Sequence, residues 1–150
     1  MKNIIVIAGP TGVGKTKLSV QLAKLIDAEI INADSMQVYK NLNIGTAKIK
    51  DDEKENIVHH LFDIVDINDI YTIFDYQKDC RKEIEKILKK GKKVILVGGS
   101  GLYIRSALYD YKFEKENIKN SYDDKTNAEL LEIVKKIEPN TTIHINNRKR

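Results

Sequence analysis

Three observations in this sequence predict an α/β fold of three layers around a parallel sheet. Apolar, mostly β-branched runs occupy residues 4–8 and 93–98, strand-like and helix-like stretches alternate, and a glycine-rich turn lies between the first strand and the first helix. Ile4, Ile5, Val6, Ile7 and Ala8 are unbroken, as in strands buried on both faces. After the turn, Leu18, Leu22, Leu25 and Ile26 recur at helical spacing and predict a helix over 17–26 with these side chains facing the core. Residues 28–33 (AEIINA) predict a second strand, 41–56 a polar loop with a short helix, and 61–65 (LFDIV) a third strand.

The clearest helix covers 72–90. Ile73, Gln77, Cys80, Ile84, Ile87 and Leu88 line one side of it, and Gly91 supplies the stop. Residues 93–98 (KVILVG) predict a fourth buried strand, followed by Gly98-Gly99-Ser100-Gly101 and a short helix to Leu108. Beyond 109 the period is lost in a densely charged stretch. A helix then begins near Thr126, where Thr126-Asn127-Ala128-Glu129 has the form of a capping box, and it ends before Pro139. This organisation predicts an incomplete core over 1–109. A helical insertion over 110–150 runs to the start of a return to the core, and the chain reads as truncated at 150.

Composition narrows the function classes. With 26 Lys and Arg against 22 Asp and Glu, the net charge of +4 permits a nucleic-acid partner without demanding one. The single cysteine, Cys80, excludes an internal disulfide and any cysteine-rich metal site, and fits a cytoplasmic location. No apolar stretch reaches the roughly 18 residues of a membrane span, so no membrane partner is expected.

Gly9, Pro10, Thr11, Gly12, Val13, Gly14, Lys15 and Thr16 match the phosphate-loop pattern G-x-x-x-x-G-K-[ST] in full, with a strand before and a helix after. Glycines let backbone N–H groups turn inward on an anion, and the helix N-terminus adds its positive dipole end. Lys15 adds a full charge, and the Thr16 hydroxyl suits Mg²⁺, the expected cofactor. These residues predict a P-loop NTPase-like fold and a diphosphate- or nucleotide-binding loop. The loop alone does not identify the polyphosphate.

Asp34 follows the second strand directly. The carboxyl ends of parallel strands share the edge where ligands bind, so Asp34 is expected beside the loop. It suits a Mg²⁺ ligand, a general base or a simple turn residue, and position alone leaves these open. The small residues 98–101 end the fourth strand on the same edge, as a ligand approach or a tight turn. No carboxylate follows the run 94–97, which weakens a simple ATPase reading. His59 and His60 are adjacent in sequence and point apart, against a shared metal; Cys80 reads as core, and Arg81, Lys82, Lys86, Lys89, Lys90, Lys92 and Lys93 as a solvated face.

With GPTGVGKT (9–16), INADSMQVYKNLNIGTAK (31–48), HHLFD (59–63), GGSGLY (98–103) and IHINNRKR (143–150) in this order, the chain resembles the tRNA dimethylallyltransferases, or tRNA isopentenyltransferases. The family commonly has threonine where this chain has Ser100, which keeps a hydroxyl, and its members are roughly twice this long. The resemblance implies transfer of a dimethylallyl group from dimethylallyl diphosphate to the exocyclic amine of the adenosine 3′ of the anticodon in tRNA. It implies Asp34, Lys15 and Ser100 as catalytic residues and Asp34, Ser35, Met36, Gln37 and Ser100 as contacts to the tRNA anticodon stem-loop. Lys149 and Arg150 fall in a tRNA-contacting basic stretch, Tyr122 offers a stacking ring, and a monomer is expected.

Two rival enzymes share the loop. A nucleotide or metabolite kinase needs an arginine-rich lid, yet only Arg81 and Arg105 precede Arg148. A prenyl transferase acting on free AMP or ADP is closer. A nucleotide- or RNA-binding module without turnover is the non-enzyme alternative.

Overall fold

The computed structural model describes residues 3–113, 122 and 124–142. It divides into two compact units, Met1–Phe113 and Glu114–Arg150. In the first unit the elements run β1 (Ile4–Ala8), α1 (Lys15–Ile26), β2 (Ala28–Asn32), a 3-10 turn (Asp52–Lys54), β3 (His59–His60), α2 (Ile73–Lys89), β4 (Lys93–Gly98) and α3 (Gly101–Leu108). The second unit holds α4 (Asn127–Ile137), with the capping box of Thr126 and Glu129 formed in both directions and no buried side chain. No helix among the described residues is long and apolar enough to cross a membrane.

Among the described residues four strands make one parallel sheet in the order β1-β4-β2-β3. Alternate residues of the central strands feed different cores, which is why these strands are mostly apolar, with Glu29 and Asn32 the buried polar exceptions in β2. Ile31, Val94 and Leu96 pack with Tyr76, Cys80, Ile84 and Ile87 of α2 and with Tyr103 and Ala107 of α3. Ile30, Ile95 and Val97 pack on the opposite face with Val20 and Ala23 of α1. Helices therefore cover both faces, and the three layers follow.

Two local expectations are corrected. Residues 61–65 are not a strand: Leu61 and Asp63 have φ of 61° and 54°, which breaks extended backbone. The third strand lies just before, at His59–His60, and residues 61–65 instead bond to 37–40, ending in a single parallel bridge between Val65 and Tyr39. In α1 the buried residues are Ser19, Val20 and Ala23, while Leu18 and Leu25 are exposed. Small side chains let the helix lie close on the sheet; Leu22 and Ile26 pack at the margin of the core as expected, while Leu18 and Leu25 face away.

On α2 the apolar line is as expected but gains Tyr76, fully buried and stacked on Tyr103 at 3.9 Å between ring centroids. Thr72 caps this helix in a reciprocal pair with Asp75. Cys80 is core, with its thiol pushed up to about 11 by burial. Arg81 leaves the expected solvated face: its guanidinium donates to the carbonyls of Ser106, Ala107 and Tyr109 and ties α2 to the end of α3.

Candidate active site

The loop between β1 and α1 turns through Gly12 and Gly14, both at φ 86°, a conformation that side-chain-bearing residues adopt only under strain. Gly14 caps α1 without a side-chain hydrogen bond, so the first turn of the helix presents unbonded N–H groups to the loop. Lys15 Nζ lies back over the loop and donates to the Pro10 carbonyl at 2.7 Å.

A cavity of about 470 Å³ opens from this loop, within the usual size of small-ligand sites. Thr11, Gly12, Gly14, Lys15 and Thr16 form one wall, and Asp34 and Gln37 another. The two sequence blocks read as loop and carboxylate therefore share one space. Gly9, Pro10 and Val13 complete the loop but are not among the lining residues. Away from the loop the lining gains the apolar side chains Val20, Ile49, Phe62 and Val97, beside Glu53 and Glu55, and His59 sits edge-on to Phe62 at 5.7 Å. Burial lowers the pKa of His59 below the ordinary 6.5, and its Nδ1 meets the Ile57 carbonyl at 2.8 Å.

Asp34 is fixed from several directions. Its Oδ1 accepts the Met36 N–H at 2.9 Å. Its own N–H and carbonyl are both bonded to the Asn32 side chain, at 2.9 and 3.0 Å. Ser100, at the head of α3, accepts the Ser35 N–H through Oγ at 2.9 Å and lies 3.2 Å from the Ser35 hydroxyl, while its N–H donates to the Ala33 carbonyl. The Ser100 hydroxyl thus binds the turn that carries Asp34. Met36 is exposed beside this turn. Gly98 allows the close approach, since a Cβ there would enter the backbone of Ala33, whereas one on Gly99 would make ordinary contacts, 3.5 Å from the Gly9 carbonyl and 3.8 Å from Asp34 Oδ2.

The outer wall is held by polar contacts that sequence reading did not single out. Gln37 Nε2 donates to the Thr46 carbonyl at 2.8 Å, and the Thr46 hydroxyl donates to Leu42. Lys48, almost wholly buried, donates to the Tyr39 carbonyl and to Asp63 at 2.8 and 2.6 Å. Lysine at the end of a polar loop gives no sequence signal for such a role.

His59 and His60 do diverge. His60 turns to Glu29 at 2.7 Å and Glu83 at 3.3 Å, and Lys90 joins Glu29 at 3.0 Å. Burial raises the pKa of Glu29, but the bonds from His60 and Lys90 outweigh it and hold the carboxyl below its usual value. Tyr122 belongs to the second unit, where it is exposed. Lys149 and Arg150 lie outside the described residues.

A model of the IPP transferase family matches residues 37–150. The chain belongs to this family. Among the relatives, a tRNA dimethylallyltransferase of Anoxybacillus flavithermus is 46% identical over 99% of this chain and 50% of its own length. That of Acholeplasma laidlawii is 45% identical over 100% and 51%. The solved tRNA isopentenylpyrophosphate transferase of Bacillus halodurans superposes with a TM-score of 0.69 at 36% identity, covering 98% of this chain and 52% of that one. A eukaryotic dimethylallyltransferase solved acting on tRNA gives 0.76 at 34%, covering 96% and 38%. These neighbours carry the P-loop NTPase-like architecture seen here. The chain spans about half the length of the curated relatives it matches.

Proposed function

We propose that residues 1–150 carry the donor-binding and proton-accepting half of a tRNA dimethylallyltransferase. The reaction is transfer of a dimethylallyl group from dimethylallyl diphosphate to the exocyclic amine of the adenosine 3′ of the anticodon. The observation that carries this reading is the single cavity shared by the phosphate loop and Asp34. It is supported by the names of the relatives, which are tRNA dimethylallyltransferases.

In this reading the loop N–H groups and Lys15 hold the diphosphate, and the apolar wall of Ile49 and Phe62 receives the prenyl chain. The adenosine leaves its stack to enter, at a cost of a few kcal/mol that is smallest in a single-stranded loop. Its amine is a poor nucleophile because the lone pair is delocalised into the ring. As nitrogen bonds to the allylic carbon, the carbon–oxygen bond breaks and the diphosphate leaves with the electron pair. Asp34 accepts the amine proton, a contribution of about 10²–10⁴ in rate. Charge growing on the diphosphate falls on the loop N–H groups, joined by Lys15 once its ammonium leaves the Pro10 carbonyl. Ser35, Met36 and Ser100 lie beside Asp34, where the nucleoside would rest. The cavity also offers the Thr16 hydroxyl, a hard oxygen donor that suits Mg²⁺ completed by substrate oxygens and water. When bound, Mg²⁺ would offset the diphosphate's charge. The enzyme is proposed to act as a cytoplasmic monomer.

The test is transfer to an anticodon stem-loop by protein carrying residues 1–150. Asp34→Ala should lose about 10²–10⁴ of the rate while still binding the stem-loop. Lys15→Ala should weaken binding of dimethylallyl diphosphate. An unchanged rate in the first variant removes Asp34 from the chemistry, and preference for ATP with phosphate transfer to a nucleotide replaces the reading with a kinase.

A further inference from the structure

Asn32 ends a central strand whose five residues are all buried, and its side chain is fully inaccessible. A buried carboxamide is costly unless its groups are bonded. Here Oδ1 accepts the Asp34 N–H at 2.9 Å, and Nδ2 donates to the Asp34 carbonyl and to the Leu61 carbonyl, both at 3.0 Å. One side chain therefore grips both peptide groups of the residue whose carboxylate enters the cavity, and anchors that grip to the turn at Leu61. Its own carbonyl is held in turn by the Tyr76 hydroxyl at 2.9 Å.

We propose that Asn32 is the positioning residue for Asp34. It touches no substrate, being sealed from the cavity, and acts by setting where the strand delivers the carboxylate. Ser100 holds the far ends of the same two peptides, the Ala33 carbonyl and the Ser35 N–H, and the Met36 N–H holds Oδ1, while Asn32 bonds the N–H and the carbonyl of Asp34 itself. The bond to the N–H two residues on is one that serine makes more weakly, whereas alanine cannot make it. The inference rests on the proposed role of Asp34 as base, and misplacement of about 1 Å at a reacting group costs up to about 100-fold in rate.

The test compares Asn32→Ala, Asn32→Ser and Tyr76→Phe in protein carrying residues 1–150, by transfer kinetics and by amide hydrogen exchange. Asn32→Ala should lower kcat about 10- to 100-fold with KM for dimethylallyl diphosphate within about two-fold, and Asn32→Ser should recover part of the loss. In an Asp34→Ala background, Asn32→Ala should cost little more, because the group it positions is gone. The Asp34 amide should exchange about ten-fold faster in Asn32→Ala, while the Ile30 and Ile31 amides keep their protection. Tyr76→Phe should loosen the strand end with a much smaller fall in kcat.

Full additivity with Asp34→Ala, or an Asp34 amide as protected as in the parent, overturns the proposal. If Asn32→Ala does not fold, Asn32→Ser gives the same two readouts. If the parent transfers no prenyl group, the functional reading fails, and the exchange measurement still decides whether Asn32 holds Asp34.

Discussion

Gly98→Ala places one methyl group where β4 crosses closest to β2. A Cβ there would stand 2.8 Å from Ala33 Cα and closer still to its carbonyl carbon and oxygen. These are backbone atoms, so no rotamer change relieves the contact; the strands must part. The φ at Gly98 lies outside the left-handed region, so the effect is steric rather than conformational. Parting the strands stretches two bonds, Ala33 N–H to Val97 at 2.8 Å and Ser100 N–H to the Ala33 carbonyl at 3.0 Å. Overpacking in a tight core costs about 1–3 kcal/mol and each bond about 1 kcal/mol, which brings the loss to about 3–5 kcal/mol. Urea unfolding followed by circular dichroism measures it directly. Gly99→Ala is the control: its Cβ meets the Gly9 carbonyl at 3.5 Å, an ordinary contact, and stability should change by less than about 1 kcal/mol. A Gly98→Ala midpoint as high as that of Gly99→Ala would refute the claim that β2 and β4 are held together at the site by the absence of this methyl.

Lys48→Met should destabilise by about 2 kcal/mol in the same assay, since it strips a buried ammonium from the Tyr39 carbonyl and from Asp63, which is itself half-exposed. His59, with its folded pKa depressed below 6.5, is protonated first in the unfolded chain, so stability falls as pH drops below 6.5 until the folded value is passed. Glu29, held below 4.5, keeps its stabilising charge above 4.5 and loses it only as pH falls through its folded value. Thermal midpoints read between pH 6.5 and 4.5 should therefore decline less in His59→Phe than in the parent. Thr72→Ala should cost about 1 kcal/mol through loss of the α2 cap.

Elements with unambiguous chemistry were legible from the residues alone. β4 is buried from Val94 to Gly98 as its apolar run predicts, whereas β1 forms a strand but lies at the sheet edge among the described residues, with none of its residues buried. The sequence pattern places Thr72 within α2 rather than at its cap, but the end of α2 was legible from Gly91 and the start of α4 from its threonine cap. The stretch 61–65 was not, because its pattern suits a strand while the positive φ of Leu61 and Asp63 arises from packing against 37–40. Nor was the inward face of α1, where a close helix–sheet contact selects Ser19 and Ala23 over leucine. At the site, the meeting of the loop with Asp34 followed from strand order in parallel sheets. The supports of that carboxylate did not, because Asn32 and Ser100 act through bonds to backbone groups that only the folded chain brings together.

Titration of ¹⁵N-labelled protein with dimethylallyl diphosphate, read by amide chemical shifts, tests the shared cavity most directly. Amides of Gly12, Gly14, Lys15 and Thr16 should move together with those of Asp34, Ser35 and Met36, all fitting one dissociation constant. Shifts confined to the loop, with Asp34 to Met36 unmoved at saturation, would contradict the account.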